Sequence, residues 1–308
     1  MLKYATKWIF FLILILSLSG LISSPIALLL GLVFALIFKN PFLSLSRKGI
    51  GYFLKIAIVG LGFGMSLAQT ITTSKDGLLL TTTSILLTIG LGTFLAKRLK
   101  IDLKLGHLIT SGTAICGGSA IAAIAPVIKA KSHVISMALG LVFLLNSIAL
   151  FVFPPIGQFL ELSQEQFGTW CAVAIHDTSS VVGAALTYGD EALRIATTIK
   201  LSRTLWIIPL SVFSIIAFKS KGEKIEMPYF ILLFIAAIFI NSYELLPHAL
   251  TSALVLYSKR LLVATLFLVG STISVKDLKA TGFKPALLAI TLWVFISFFS
   301  LWYVLKVQ

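Results

Sequence analysis

The chain has 308 residues, 58% hydrophobic and only 12% charged, with a mean hydropathy of +1.04 and a formal net charge of +14. A soluble domain is nearer a quarter charged, so an ordinary water-soluble fold is excluded. The lysines and arginines punctuate the ends of apolar runs, which is a topology signal of membrane proteins and not a nucleic-acid surface.

The hydrophobic runs set the class. A helical span needs about 20 residues, and such runs recur from end to end. Transmembrane strands would read as alternating segments of ~10 residues, and the sequence has none. The expectation is an all-α polytopic membrane protein whose one transmembrane domain takes in residues 1–308. Lys3 and Lys7, followed by an apolar run to Leu18, mimic a signal peptide. No small-x-small cleavage site follows and Pro25 opens another apolar run, so this segment reads as a retained first helix. Nine full spans are expected at about 8–20, 25–38, 50–69, 77–96, 132–153, 191–217, 228–246, 253–274 and 284–305. Two further apolar segments, at about 107–128 and 166–187, are interrupted.

The positive-inside rule orients these runs. Lys3 and Lys7 place the N-terminus in the cytoplasm. Lys39, Arg47 and Lys48 mark the next basic loop, and Lys97, Arg98, Lys100 and Lys104 the one after. Lys129, Lys131 and His133 then follow the first interrupted segment. Loop 154–165 carries Glu161 and Glu165 but no Lys or Arg, and Asp190 and Glu191 end the second interrupted segment. Lys219, Lys221, Lys224, Lys276, Lys279 and Lys284 return to the inside. Two re-entrant hairpins, one from each face, fit all these charges. Two full broken crossings keep the later parity but misplace residues 129–133 and 190–191.

The interruptions are short and alike. The first reads Ala114-Ile115-Cys116-Gly117-Gly118-Ser119-Ala120-Ile121, the second Ala174-Ile175-His176-Asp177-Thr178-Ser179-Ser180-Val181. Unwound backbone at membrane depth is tolerated only where it is buried in protein or lines a cavity, and a matched pair of such breaks points to a transporter's binding site. Ser119 suits the N-cap of one following half-helix, and Thr178, Ser179 and Ser180 the other. Two half-helix N-termini make an anion site from backbone N–H groups. The plainer reading is small residues at close helix crossings.

His176 and Asp177 are ionisable and deep, which marks them for function because burial is costly. They suit proton coupling; the plainer alternative is a clamp holding the loop. Lys200 and Arg203 are three apart and share a helix face. Either they neutralise an anion or balance Asp177 at mid-membrane, or they snorkel to the interface. Lys55, Asn146, His107, His133 and His248 are weaker candidates. Cys116 lies in the first break, and neither it nor Cys171 suggests a disulfide or metal knuckle. No metal-ligand spacing and no P-loop occur, and no catalytic triad is indicated, so an enzyme is not expected.

The chain also repeats. Residues 59–67 resemble 267–275, with Gly62 aligned to Gly270 and Ser66 to Ser274. A basic residue precedes each copy (Lys55; Arg260), and a Lys-Asp pair follows each (Lys75-Asp76; Lys276-Asp277). The charge map gives the copies opposite orientations, as in inverted-topology repeats.

Three long motifs carry a family resemblance: Ser111 to Ala123, His176 to Ala184, and Lys200 to Trp206. They closely resemble the YeiH-like family of proposed sulfate exporters, and the likeness runs over nearly the whole chain. It implies a multi-pass protein of the bacterial inner or plasma membrane, and sulfur oxyanions as the substrate class.

The resulting expectation is a secondary transporter of a small anion, working by alternating access. Cys116, Gly117, Gly118, Ser119, Thr178, Ser179, Ser180, Lys200 and Arg203 would bind substrate, with His176 and Asp177 in coupling. The coupling ion would be H⁺ or Na⁺, no cofactor is called for, and the partners are the bilayer, a small anion and a homodimer mate. The rival classes are an anion channel and an intramembrane enzyme using a break-loop Cys or Ser.

Overall fold

The computed structural model describes residues 2–38, 40–218, 229–272 and 282–307. The predicted loop residues Lys39, Lys219, Lys221, Lys224, Lys276 and Lys279 and the repeat residues Ser274, Val275 and Asp277 lie outside them. The described residues form fourteen helices and no strand. In chain order these are α1 (Leu2–Ser19), α2 (Ser24–Phe38), α3 (Leu43–Gly62), α4 (Leu67–Arg98), α5 (Leu103–Ala114), α6 (Gly118–Val127) and α7 (Ser132–Phe159). Then follow α8 (Gln164–Ala174), α9 (Thr178–Tyr188), α10 (Asp190–Thr204), α11 (Ile207–Ala217), α12 (Tyr229–Ser242), α13 (His248–Thr272) and α14 (Phe283–Val307). The protein is an all-helical polytopic membrane protein.

Five stretches are long and apolar enough to cross a membrane: Gly77–Arg98, His133–Phe159, Asp190–Ala217, His248–Thr272 and Phe283–Val307. The predicted spans 8–20, 25–38 and 228–246 are present as shorter apolar helices, Thr6–Ser19, Ile26–Phe38 and Tyr229–Ser242. The predicted span 50–69 is broken. α3 stops at Gly62, and the chain turns by 112° into Leu67–Lys75. Phe63, Gly64 and Met65 bond back to the carbonyls of Gly60, Leu61 and Gly62, a tightened last turn, and Ser66 is extended. The span 191–217 is kinked between α10 and α11. Pro209 has no N–H to give the Leu205 carbonyl, and Trp206 bonds to the Arg203 carbonyl at 3.0 Å in a tighter turn.

Both interrupted segments fold as helical hairpins whose two ends lie side by side. In the first, α5–α6, the Lys104 ammonium donates to the Lys129 carbonyl at 2.8 Å. A continuous helix would hold these residues roughly 37 Å apart at 1.5 Å per residue. In the second, α8–α9, the Tyr188 hydroxyl donates to the Leu162 carbonyl at 2.6 Å, and the Phe167 and Tyr188 rings stack at 3.8 Å. Gln164 Oε1 also accepts from the Glu191 N–H at 3.0 Å. Between the hairpins runs α7, whose 28 residues reach about 42 Å, enough to cross a hydrocarbon core of ~30 Å. The two hairpin bases therefore lie at opposite ends of α7, and the tips point at each other.

Local chemistry explains the turns. Asp102 caps α5 by accepting from the Leu105 N–H at 2.9 Å. Gly117, at φ +62°, takes a left-handed conformation that suits glycine and donates its N–H to the Gly112 carbonyl at 2.8 Å. Ser163 and Gln166 form a capping box at the start of α8.

Beside the hairpins, α1, α2, α3, α12 and α13 pack as a layer. Gly270 of α13 crosses Gly31 of α2 in backbone contact: a Cβ on Gly270 would stand 2.2 Å from the Leu28 carbonyl oxygen. Gly62, its predicted repeat mate, presses on α12, where a Cβ would stand 2.9 Å from the Phe234 carbonyl oxygen. α3 and α13 run antiparallel, since Gly49 faces Leu268 and Gly64 faces Val255. The two aligned glycines thus each mark a close helix crossing, on helices that run in opposite directions. The layer meets the second hairpin where Gly183 fits against Leu266 and Leu150.

A methyl group has no room at the α2–α13 crossing, and overpacking of this kind costs about 1–3 kcal/mol. Gly270→Ala should lower the melting temperature of the purified protein. Gly51→Ala, whose Cβ meets nothing within 4 Å, should leave it unchanged or raise it slightly. Equal melting of the two variants would contradict the close crossing.

Candidate functional site

α5 and α8 each end deep inside the protein. The last carbonyls of a helix lack intrahelical partners, and the helix C-terminus carries about half a negative charge. α10 answers both ends. The Lys200 ammonium donates to the carbonyls of Ile175 at 2.8 Å, Ile115 at 3.2 Å and Ala172 at 3.3 Å. An ammonium has three donors, and all three are used. Arg203 donates through Nε to the Ile115 carbonyl at 3.4 Å, through Nη2 to the Ala114 carbonyl, and through Nη1 to the Ser84 hydroxyl at 3.0 Å. Both side chains are 0% exposed. Of the fifteen residues of α10, eleven are buried, because this polar helix packs against α8, α9 and α4 and reaches the tip of the first hairpin through Lys200 and Arg203.

This corrects two expectations. Lys200 and Arg203 are indeed deep and on one helix face, but they hold backbone carbonyls and do not stand free for an anion. Nor do they pair with Asp177. Among the described residues the ion pairs are Arg194–Glu191 and Lys259–Asp190, both at the base of the second hairpin.

Asp177 is instead the N-cap of α9. Its carboxylate accepts from the Ser180 N–H at 3.1 Å, from the Ser180 hydroxyl at 3.2 Å and from the Ser179 hydroxyl. The predicted capping role of Thr178, Ser179 and Ser180 therefore falls one residue earlier, on the stronger acceptor, and the two serine hydroxyls are spent on it. Thr178 is buried in the first turn of α9.

The other half-helix start is different. The N-cap of α6 is Gly117, with no side-chain cap. Ser119, predicted as that cap, lies two residues inside the helix and is exposed. Cys116 is a buried free thiol at the tip, and Cys171 a buried one within α8.

The tips touch through backbone. A Cβ on Gly117 would stand 3.3 Å from both the Asp177 nitrogen and the His176 carbonyl carbon, and 3.1 Å from Val142 of α7. One turn along α7 from Val142, Asn146 accepts the His176 N–H through Oδ1 at 2.9 Å. His176 and Asn146 are 0% and 1% exposed. Among the described residues, neither imidazole nitrogen of His176 has a partner, and neither has Nδ2 of Asn146. Asn146, a weaker candidate from sequence, is therefore part of the site. His107 is half-buried and bonds to Ser214 at 2.8 Å, while His133, His248 and Lys55 are exposed.

Sequence reasoning missed Ser84. Its signal was present: Thr81, Ser84 and Thr88 line one face of α4. Among the described residues the Thr81 and Thr88 hydroxyls have no partner, nor have those of Thr110, Ser111 and Thr113 on α5. Other buried hydroxyls, such as Thr197, Thr204 and Thr265, bond to the carbonyl four residues back. A cleft of about 910 Å³ beside Phe63, Asn241, Glu244, His248 and Lys259 contains none of the hairpin-tip residues.

Lys200→Met should leave the Ala172 and Ile175 carbonyls without a donor and the Ile115 carbonyl with Arg203 Nε alone, at about 1–3 kcal/mol for each unsatisfied buried group. Its melting temperature should fall by more than 10 °C, whether or not an anion is present. A Lys200→Met protein that melts like wild type would show that the tips do not depend on the ammonium.

The chain matches the family described as conserved hypothetical protein 698 over residues 8–289. It is similar to a UPF0324 membrane protein of Photobacterium profundum, 52% identical over 305 residues, covering 98% of this chain and 92% of the relative. It is also similar to UPF0324 membrane proteins of Bacteroides thetaiotaomicron (47% identical, 93% and 87% covered) and Porphyromonas gingivalis (44%, 93% and 88%). No solved structure matches. The motif resemblance pointed to this same group: the chain belongs to the conserved hypothetical protein 698 family of UPF0324 membrane proteins.

Proposed function

We propose that the protein is a secondary transporter of a small anion in the bacterial plasma membrane, with a cytoplasmic N-terminus. The observation that carries this reading is the backbone contact between the tips of two hairpins that enter from opposite faces. Each tip is closed to one face by its own hairpin, so a small movement of either exposes the junction to one side at a time, as alternating access demands.

The sign of the substrate follows from charge. Lys200 and Arg203 bring two positive charges to the junction, and Asp177 is the one carboxylate beside them. The uncapped α6 start adds a partial positive charge. An anion completes this arrangement; a cation would be repelled. Sulfur oxyanions or organosulfonates are the class favoured by the motif resemblance. Asp177, half-buried at the junction, is the group placed to exchange a coupling proton. Lys97, Arg98, Lys100 and Lys104 lead into the first hairpin and assign its base to the cytoplasmic face.

Radiolabelled sulfate and sulfite flux into proteoliposomes, with and without a pH gradient, tests this. Wild type should show gradient-dependent uptake, and Asp177→Asn, which keeps a capping side chain, should lose at least 10-fold of it. Flux of neither anion under any gradient would contradict the proposal.

A further inference from the structure

Within the transporter reading, and resting on it, the geometry points to a specific seat for the anion: the N-terminus of α6, closed by Asn146 Nδ2 and the His176 imidazole. The ligand class is a compact oxyanion with several acceptor oxygens. The deep cations do not touch it.

Four observations converge there. First, the two half-helix starts are unequal. α9 already has an anionic cap in Asp177, whereas α6 begins at a glycine with no side-chain cap. The first bond of α6 runs from the Ile121 N–H to the Gly117 carbonyl at 3.1 Å, so the N–H groups of Gly118 and Ser119 lie ahead of it without an intrahelical acceptor. Second, two polar side chains at least 99% buried belong to the residues that meet at the tip contact, and among the described residues three of their nitrogens have no partner: both ring nitrogens of His176 and Nδ2 of Asn146. Buried polar groups are nearly always bonded, so these donors are explained by a ligand.

Third, their placement is fixed. The His176 N–H holds Asn146 by Oδ1, which commits the oxygen and leaves the amide nitrogen to the ligand. The backbone of His176 lies against Gly117. Fourth, exposure begins beside the seat: Ser119 is exposed and Asp177 half-buried, while Cys116, Gly117, Asn146 and His176 are buried, so the seat is occluded in this conformation. Lys200 and Arg203, committed to carbonyls of α5 and α8, supply long-range attraction from behind the tips. Backbone N–H groups, an amide and an imidazole together suit three or more oxygens of one oxyanion.

Equilibrium binding of radiolabelled sulfate and sulfite to the full chain in nanodiscs tests the seat, with thermal melting of each variant as the check on folding. Asn146→Asp keeps an oxygen for the His176 N–H but replaces the donor with a negative charge. It should weaken binding at least 10-fold, whereas a purely structural role for Asn146 predicts no change. His176→Gln breaks no side-chain bond seen here and should weaken binding about 10-fold, the effect of one lost bond to a charged group. If Asn146→Asp fails to fold, His176→Gln decides. Wild-type affinity in a folded His176→Gln protein overturns the seat while the transport reading stands. Absence of both binding and flux in wild type overturns the two together.

Discussion

Helices that stop in the middle of a membrane protein leave carbonyl groups with nowhere to go. In hydrocarbon each such group costs several kcal/mol, and no water stands by to meet it. Here two helices, α5 and α8, stop there. The constraint is met by one polar helix, whose Lys200 and Arg203 together take the carbonyls of Ala114, Ile115, Ala172 and Ile175. Two buried cations and two helix C-termini are each untenable alone. Together the cations satisfy the carbonyls, and the two C-termini, at about half a negative charge each, offset part of the positive charge.

Much else follows from that exchange. α10 must reach both tips, so eleven of its fifteen residues are buried although it opens the least apolar of the long stretches. Both tips are tied to a single helix, which brings Gly117 into backbone contact with His176 and Asp177. Because the cations are committed to C-termini, the proposed recognition of an anion falls to the N-termini and to the neutral donors beside them. The two N-termini differ. Asp177 fills one with a carboxylate of the chain itself; the other is left open at a glycine. The surrounding layer is built by a separate rule, close helix crossings at Gly31, Gly62 and Gly270, which fits association driven by packing where lipid offers no hydrophobic gain.

The sequence makes the architecture legible because membrane topology is written in charge. Lys129 and Lys131 after the first break, and Asp190 and Glu191 after the second, fit hairpins better than full crossings, and the Lys104–Lys129 and Leu162–Tyr188 contacts show the two ends of each segment side by side. The Gly62–Gly270 alignment likewise corresponds to matched helix crossings. The breaks themselves stood out by composition. Partner choice was not legible. Composition places Lys200 and Arg203 at the right depth but cannot say whether a cation meets a ligand, an acid or a carbonyl, since backbone acceptors leave no mark on sequence. The caps misled for a related reason: Ser119 and Ser179 are good capping residues, but the register of each turn, set by Gly117 and Asp177, decides which residue occupies the cap. The break within 50–69 was hidden because glycines at 60, 62 and 64 read equally well as helix-packing positions.

The opposed hairpins are the feature on which the transport reading and the anion seat both stand. Their sidedness is directly measurable by impermeant thiol labelling of intact cells and inverted vesicles, with single cysteines replacing Lys104, Lys129, Gln164 and Asp190 in a Cys116→Ser, Cys171→Ala background. The account predicts that positions 104 and 129 label from the cytoplasmic side alone and positions 164 and 190 from the outside alone. Labelling of 104 and 129 from opposite sides would mean that the first segment crosses the membrane, and would contradict it.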